Sequence, residues 1–191
     1  MRKIILDIET QNSFQEVGSS SAVDLDISLL VIYDYEDGKY KTFMEKDFPE
    51  LWKILEQTDL IIGYNSDHFD IPLLNKYYSG DLSQIKSLDL LVPIRESLGR
   101  RVRLDSVAAG TLGKNKSGNG LEAIEWWKNG EIDKIKKYCE QDVRVTKEVY
   151  EYATEHKKLK YKEIGQIIEF DIDTNGWDEG SGGGMNYTLP F

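Results

Sequence analysis

The chain has 191 residues, 34 of them acidic against 24 basic, for a net charge of -10. That length suits one domain with a sizeable core, and the charge argues against a protein that coats nucleic acid non-specifically, which is normally basic. No apolar run is long enough to span a bilayer, no signal-peptide pattern opens the chain, and the lone Cys139 excludes an intrachain disulfide; a cytoplasmic protein without membrane contact is expected.

Residues 2–8 read as a buried strand, nearly all apolar, ending in the acids Asp7 and Glu9. A polar loop follows over 11–24, then a second strand over 27–35. Asp37-Gly38 is a hairpin turn signal leading into a third strand at 39–44. Asp47 and Pro49 open a helix to about Gln57. "LIIGYN", 60–65, is a short buried strand, and Pro72 fits the first turn of a helix to Gly80. "SLDLL", 87–91, is a further short strand, followed by a helix to Gly99 and another near 104–112. The loop "GKNKSGNG" at 113–120 precedes helices near 121–128 and 131–156. Three strands followed by alternating strands and helices make an α/β protein, a mixed sheet flanked by helices. The domain runs over residues 1–160. Residues 161–175 hold one additional strand, within 163–174, and 176–191 form a Gly-rich flexible tail with a short apolar tip.

Three groups of residues carry chemistry. Asp7 and Glu9 lie two apart in a strand, so both carboxylates point to one face. Two like charges at this distance raise each other's pKa unless a cation sits between them, and hard oxygen donors suit Mg²⁺ or Mn²⁺. A strand end simply emerging into water is the plainer reading of the pair taken alone. In "GYNSDHFDIPLL", 63–74, Asp70 stands either as a helix cap or as a third carboxylate at a strand-to-helix edge, with Asp67 as its competitor. In the last long helix, Ile132, Ile135, Cys139, Val143, Thr146, Tyr150 and Ala153 follow core-facing spacing. Tyr138 and Asp142, four apart, share the face beside that stripe. With two histidines in the chain and no second cysteine, a zinc site is not expected.

The order D-x-E, N-x-x-x-F-D, Y-x-x-x-D resembles the DEDD, or DnaQ-like, 3'–5' exonucleases over roughly residues 1–155. Tyr138 places it with the tyrosine subgroup, since the histidine subgroup needs a histidine where Lys137 stands. "FDIPLL" is similar to the second motif of family-B polymerase proofreading domains and of stand-alone or helicase-linked exonuclease domains. The resemblance implies a ribonuclease H-like five-stranded mixed sheet. It implies that Asp7, Glu9, Asp70 and Asp142 hold two Mg²⁺ or Mn²⁺ ions that clamp a phosphodiester. Tyr138, with an ordinary pKa near 10, then orients the attacking water. The implied substrate is a single-stranded nucleic acid with a free 3' end, DNA in preference to RNA, cut to nucleoside 5'-monophosphates. Thr10, Asn65 and Phe69 are the implied strand contacts. Arg101, within the cluster Arg100, Arg101 and Arg103, is a candidate phosphate contact, with a helix C-terminus complemented by cations as the alternative. The loop 113–120 carries the same two readings, phosphate contact or plain surface. The tail "MNYTLPF" loosely resembles peptides that dock on a polymerase, helicase or other replication or repair protein; a plain chain end is its alternative. A catalytically weak nucleic-acid-binding or assembly subunit is the competing reading of the whole chain.

Overall fold

A computed structural model describes residues 1–114 and 120–179. The elements are β1 (Lys3–Thr10), α1 (Phe14–Val17), β2 (Ile27–Asp34), β3 (Lys39–Phe43), α2 (Phe48–Leu55), β4 (Leu60–Gly63), α3 (Asp70–Asn75), β5 (Lys86–Asp89), α4 (Leu91–Leu98), α5 (Leu104–Thr111), α6 (Gly120–Lys128), α7 (Ile132–His156), β6 (Lys158–Glu163) and β7 (Gln166–Asp171). Five strands form one sheet in the order β3-β2-β1-β4-β5. β1 and β2, like β2 and β3, run antiparallel, while β4 and β5 run parallel to β1 and to each other.

β1 is the central strand and is buried on both faces, which is why its sequence is nearly continuous in apolar residues. Ile4, Leu6 and Ile8 point into one core, with Leu51 and Leu55 of α2 and Leu73 and Leu74 of α3. Ile5 points into the other, with Val143, Val149 and Ala153 of α7. Alternation along the strand therefore sends Asp7 and Glu9 to the face that α7 covers. α7 runs antiparallel to β1: the Cys139 thiol meets Asp7, and the Tyr150 hydroxyl meets Lys3.

Four local differences from the sequence expectation have physical causes. The loop after β1 contains a short helix, α1, closed by a capping box in which Ser13 and Glu16 satisfy each other's backbone N–H. The helix with Pro72 in its first turn, expected to run to Gly80, stops at Asn75, whose side chain accepts the Leu82 N–H at 2.8 Å and turns the chain. The single strand expected over 163–174 is instead half of a hairpin. Ile164 and Gly165 take φ of 47° and 76°, the two-residue turn that joins β6 to β7. A β-branched residue is poor in that conformation, so this turn is hidden from sequence rules.

The fourth concerns the segment expected to open a flexible tail. Residues up to Glu179 return to the domain. Trp177 is buried and its ring stacks on Tyr150, 5.9 Å between centroids. Asp178 accepts from the Tyr150 hydroxyl at 2.5 Å and from Lys3 Nζ at 2.9 Å. This strap holds the N-terminal end of β1, the opposite end from Asp7 and Glu9. Trp177→Ala should cost about 3 kcal/mol, read as a fall in thermal midpoint; an unchanged midpoint would show the strap to be loosely held. Residues 180–191, including "MNYTLPF", lie outside the described residues.

Candidate functional site

β4 is shorter than β1, and the parallel ladder between them ends at Ile5 opposite Ile62. Beyond that point β1 has no strand neighbour on this side, and the chain that leaves β4 fills the space. Gly63 permits the tight exit, because a Cβ there would lie 2.5 Å from the Ser66 side chain. The loop then enters α3, with Asp70 as its first residue and Phe69 before it as a cap that makes no side-chain hydrogen bond.

Asp70 is 4 % exposed. Burial pushes its pKa up to about 7, the backbone N–H groups of Asp70 and Ile8 pull against that rise, and the charge of Asp89 adds to it. Contact with the Ile8 N–H brings this carboxylate to β1 at the residue between Asp7 and Glu9. Its Oδ1 is buried without a hydrogen-bond partner among the described residues. Such an orphaned anionic oxygen is costly unless a cation meets it. Asp67, the competitor, accepts from the Ser87 hydroxyl at 2.5 Å, towards β5. Geometry thus separates two acids that spacing leaves equivalent.

α7 covers the acids from the other side. Tyr138 and Asp142 are both buried. The edge of the Trp126 ring packs against Tyr138, centroids 5.9 Å apart and planes at 70°, which fixes the phenol's direction. Between them on the helix stands Cys139, which its spacing assigns to the core stripe. Its thiol donates to the Asp7 carbonyl at 3.3 Å and lies 3.5 Å from Asp7 Oδ2. Ligand atoms of Asp7, Glu9 and Cys139 all lie within 4.8 Å of one another. Burial first, then the charges of Asp7, Glu9 and Asp142, hold the thiol's pKa well above its ordinary value. Cys139 is therefore a neutral donor that sits where three carboxylates converge. Its position one residue after Tyr138 and three before Asp142 is the sequence signal that could have found it.

The residues singled out as strand contacts fall into two groups. Thr10 follows a register shift at the end of β1 and donates its hydroxyl to the Asn12 carbonyl at 2.8 Å. Phe69 meets Phe14 of α1 edge to face at 6.1 Å, and Phe14 is 39 % exposed, so an aromatic pair stands at the rim. Sequence reasoning misses Phe14 because it lies in a segment that reads as loop. On the other side, Arg101 donates to the Asn65 side chain at 2.5 Å, and both line a cleft with His68 and Arg95. Arg103 lines its continuation. Arg100 turns away from this group: it pairs with Glu163 at 2.7 Å and lies over the Tyr161 ring. In the 113–120 loop, residues 115–119 lie outside the described residues.

The ligand atoms that lie together are the two carboxylates of Asp7 and Glu9 and the Cys139 thiol; with the buried, unpartnered Asp70 Oδ1 on the loop that reaches β1 at Ile8, the carboxylate oxygens suit hard divalent cations.

The sequence model of the RNase H superfamily matches residues 4–154. Among curated proteins no sequence match was found. Among solved structures, the family B DNA polymerase from the hyperthermophilic archaeon Pyrobaculum calidifontis is similar, with a TM-score of 0.60 at 19% identity. The similarity covers 81% of this chain but 24% of the polymerase, so the chain spans about a quarter of that protein's length. No helix among the described residues is long and apolar enough to cross a membrane.

Proposed function

The chain belongs to the RNase H superfamily, and from that membership we propose that it is a metal-dependent 3'–5' exonuclease acting on single-stranded nucleic acid, DNA in preference to RNA. One observation carries the reading: the buried Asp70 carboxylate, with its Oδ1 unpartnered among the described residues, meets β1 between Asp7 and Glu9, on a strand that α7 covers with Asp142 and Tyr138. A mutually repelling cluster of this kind is costly to fold, which favours a catalytic role over a binding or assembly role alone.

In this reading Asp7, Glu9, Asp70 and Asp142 hold two Mg²⁺ or Mn²⁺ ions. Bound there, the ions supply Lewis-acid polarisation of the phosphate and water activation at neutral pH. The rest falls to the chain. The four carboxylates fix where positive charge sits against the phosphodiester. Cys139 donates to Asp7 and keeps that acid from turning. The Tyr138 hydroxyl, its ring steadied by Trp126, orients the attacking water by a hydrogen bond rather than by taking its proton. Thr10 and the Phe69 pair hold the terminal nucleotide, since every base offers a face to an aromatic ring. Asn65 and Arg101 meet the backbone further along the strand. The product is a nucleoside 5'-monophosphate. Docking on a polymerase, helicase or other replication or repair protein through 176–191 belongs to the same reading, and capture of such a partner undiminished by deleting 180–191 would remove it.

The test uses 5'-labelled single-stranded DNA and RNA of one sequence, with Mg²⁺, Mn²⁺ or chelator. A ladder that shortens from the 3' end, faster on DNA and absent with chelator, is expected. Internal cuts, or cleavage that survives chelator, would overturn the reading. Strand binding without hydrolysis in either metal would favour the assembly subunit. Tyr138→Phe should slow hydrolysis about 10²-fold while the Mg²⁺ concentration at half-maximal rate stays within about threefold. A parallel loss of rate and metal affinity would make the tyrosine part of the metal site's structure instead.

A further inference from the structure

Asp89, at the end of β5, is a buried carboxylate, 5 % exposed, with no ion pair among the described residues. Backbone groups satisfy it instead. Its Oδ1 accepts the N–H of Asn65 at 2.6 Å and of Leu91 at 3.0 Å, and its Oδ2 faces the Asp67 N–H at 3.4 Å. One side chain thereby ties together the end of β5, the start of α4 and the loop that leaves β4.

The tie has a consequence at Asn65. This residue sits in the left-handed region, φ 64°, a conformation that asparagine tolerates but that still needs holding. Asp89 grips its N–H. The Asn65 side chain is then turned so that its Oδ1 accepts from Arg101. Arg101 has no ion pair among the described residues, and it lines a cleft of about 210 Å³ with Arg95 and His68 and with the acids Asp67 and Asp89, which are held by Ser87 and by backbone N–H groups respectively. The chain of contacts runs from a buried acceptor, through a strained backbone position, to an exposed guanidinium in this cleft.

We propose that Asp89 is a positioning residue that sets Asn65, and through it Arg101, to receive the phosphodiester backbone of the substrate strand. The inference rests on the exonuclease reading for its substrate, not for its geometry. Asp89 touches no reacting atom, so its removal should act on strand binding before chemistry. An asparagine keeps the Oδ1 acceptor that serves Asn65 and Leu91, whereas alanine leaves both N–H groups unmet.

The experiment compares Asp89→Ala, Asp89→Asn and Arg101→Ala with the wild type. It measures kcat and KM on a fluorescein-labelled oligothymidylate of roughly ten nucleotides, and Kd by anisotropy with chelator present. Asp89→Ala should raise KM and Kd about tenfold, with kcat within about threefold. Asp89→Asn should recover most of that loss. The double variant Asp89→Ala/Arg101→Ala should bind no more weakly than the worse single variant, because both act through one contact. Additive losses, failed recovery by asparagine, or a fall in kcat at unchanged KM would overturn the proposal and leave Asp89 a structural tie. Should Asp89→Ala fail to fold, Asn65→Gly, which suits the left-handed backbone and removes the Oδ1 that accepts from Arg101, supplies the comparison: KM and Kd should rise as in Arg101→Ala, and unchanged values would overturn the proposal. Absence of hydrolysis in the wild type would sink the exonuclease reading, while the anisotropy series would still decide the role of Asp89.

Discussion

Asp7→Ala and Asp142→Ala should each reduce 3'-end hydrolysis on the order of 10³-fold or more, equivalent to about 4 kcal/mol of transition-state stabilisation. The two residues come from different elements, β1 and α7, and share no backbone hydrogen bond in the sheet. Their common effect would therefore report a common cation-holding role. Groups that act as a unit are not additive, so the double variant should be scarcely slower than either single one. The metal-free proteins offer a control. Removing one of several mutually repelling carboxylates relieves the folded state, so neither variant should melt lower than the wild type in chelator, and neither should gain stability from Mg²⁺ as the wild type does. Activity within tenfold of wild type in either variant would place the hydrolytic site elsewhere.

Asp70→Asn should abolish activity as those variants do, and should raise stability in a pH-dependent way. The folded, metal-free protein holds Asp70 with its pKa raised to about 7, against an ordinary aspartate value near 4. Between these values the folded state binds more protons than the unfolded one, so stability declines as pH rises. The contribution is fully present below about pH 4 and is gone once the pH has risen through about 7. Its size is roughly 2–4 kcal/mol, since each tenfold change in proton affinity is worth about 1.36 kcal/mol. Thermal melts in chelator at about pH 5 and about pH 8 should show this fall in the wild type and lose most of it in Asp70→Asn. The variant should then be the more stable protein at the higher pH, yet inactive, because a neutral amide is a poor partner for a divalent cation. Added Mg²⁺ should restore the wild type at high pH and leave the variant unmoved. A wild-type midpoint that is flat across this range would mean that Asp70 is solvated or paired in solution.

Both predictions concern a region that is unevenly legible in the sequence. The strands of the mixed sheet and the long final helix can be read directly, because apolar residues recur with the period of the element that buries them; that the sheet has five strands comes from the family resemblance. The hairpin of β6 and β7 cannot. Its turn places Ile164 at φ 47°, and no propensity rule nominates a β-branched residue for that position. Trp177 likewise reads as tail because its neighbours are Gly and acid, although its ring finds Tyr150 across the domain. Phe14 is lost inside a polar stretch whose capping box is short enough to pass for loop.

The strand period of two already puts Asp7 and Glu9 on one face, and the helical period of 3.6 puts Tyr138 beside Asp142. These are properties of a single element and need no neighbour. Everything that relates one element to another waits for the fold: that Asp70 rather than Asp67 reaches β1, that Cys139 donates to Asp7, and that Asp89 grips Asn65. The cause is the early end of β4 at Gly63. It leaves β1 without a strand neighbour on its β4 side at just the residues that carry its acids, although β2 still pairs with them on the other side, so the returning loop decides which carboxylate fills the gap. Periodicity describes how side chains leave a backbone, and has no knowledge of where a neighbouring strand stops.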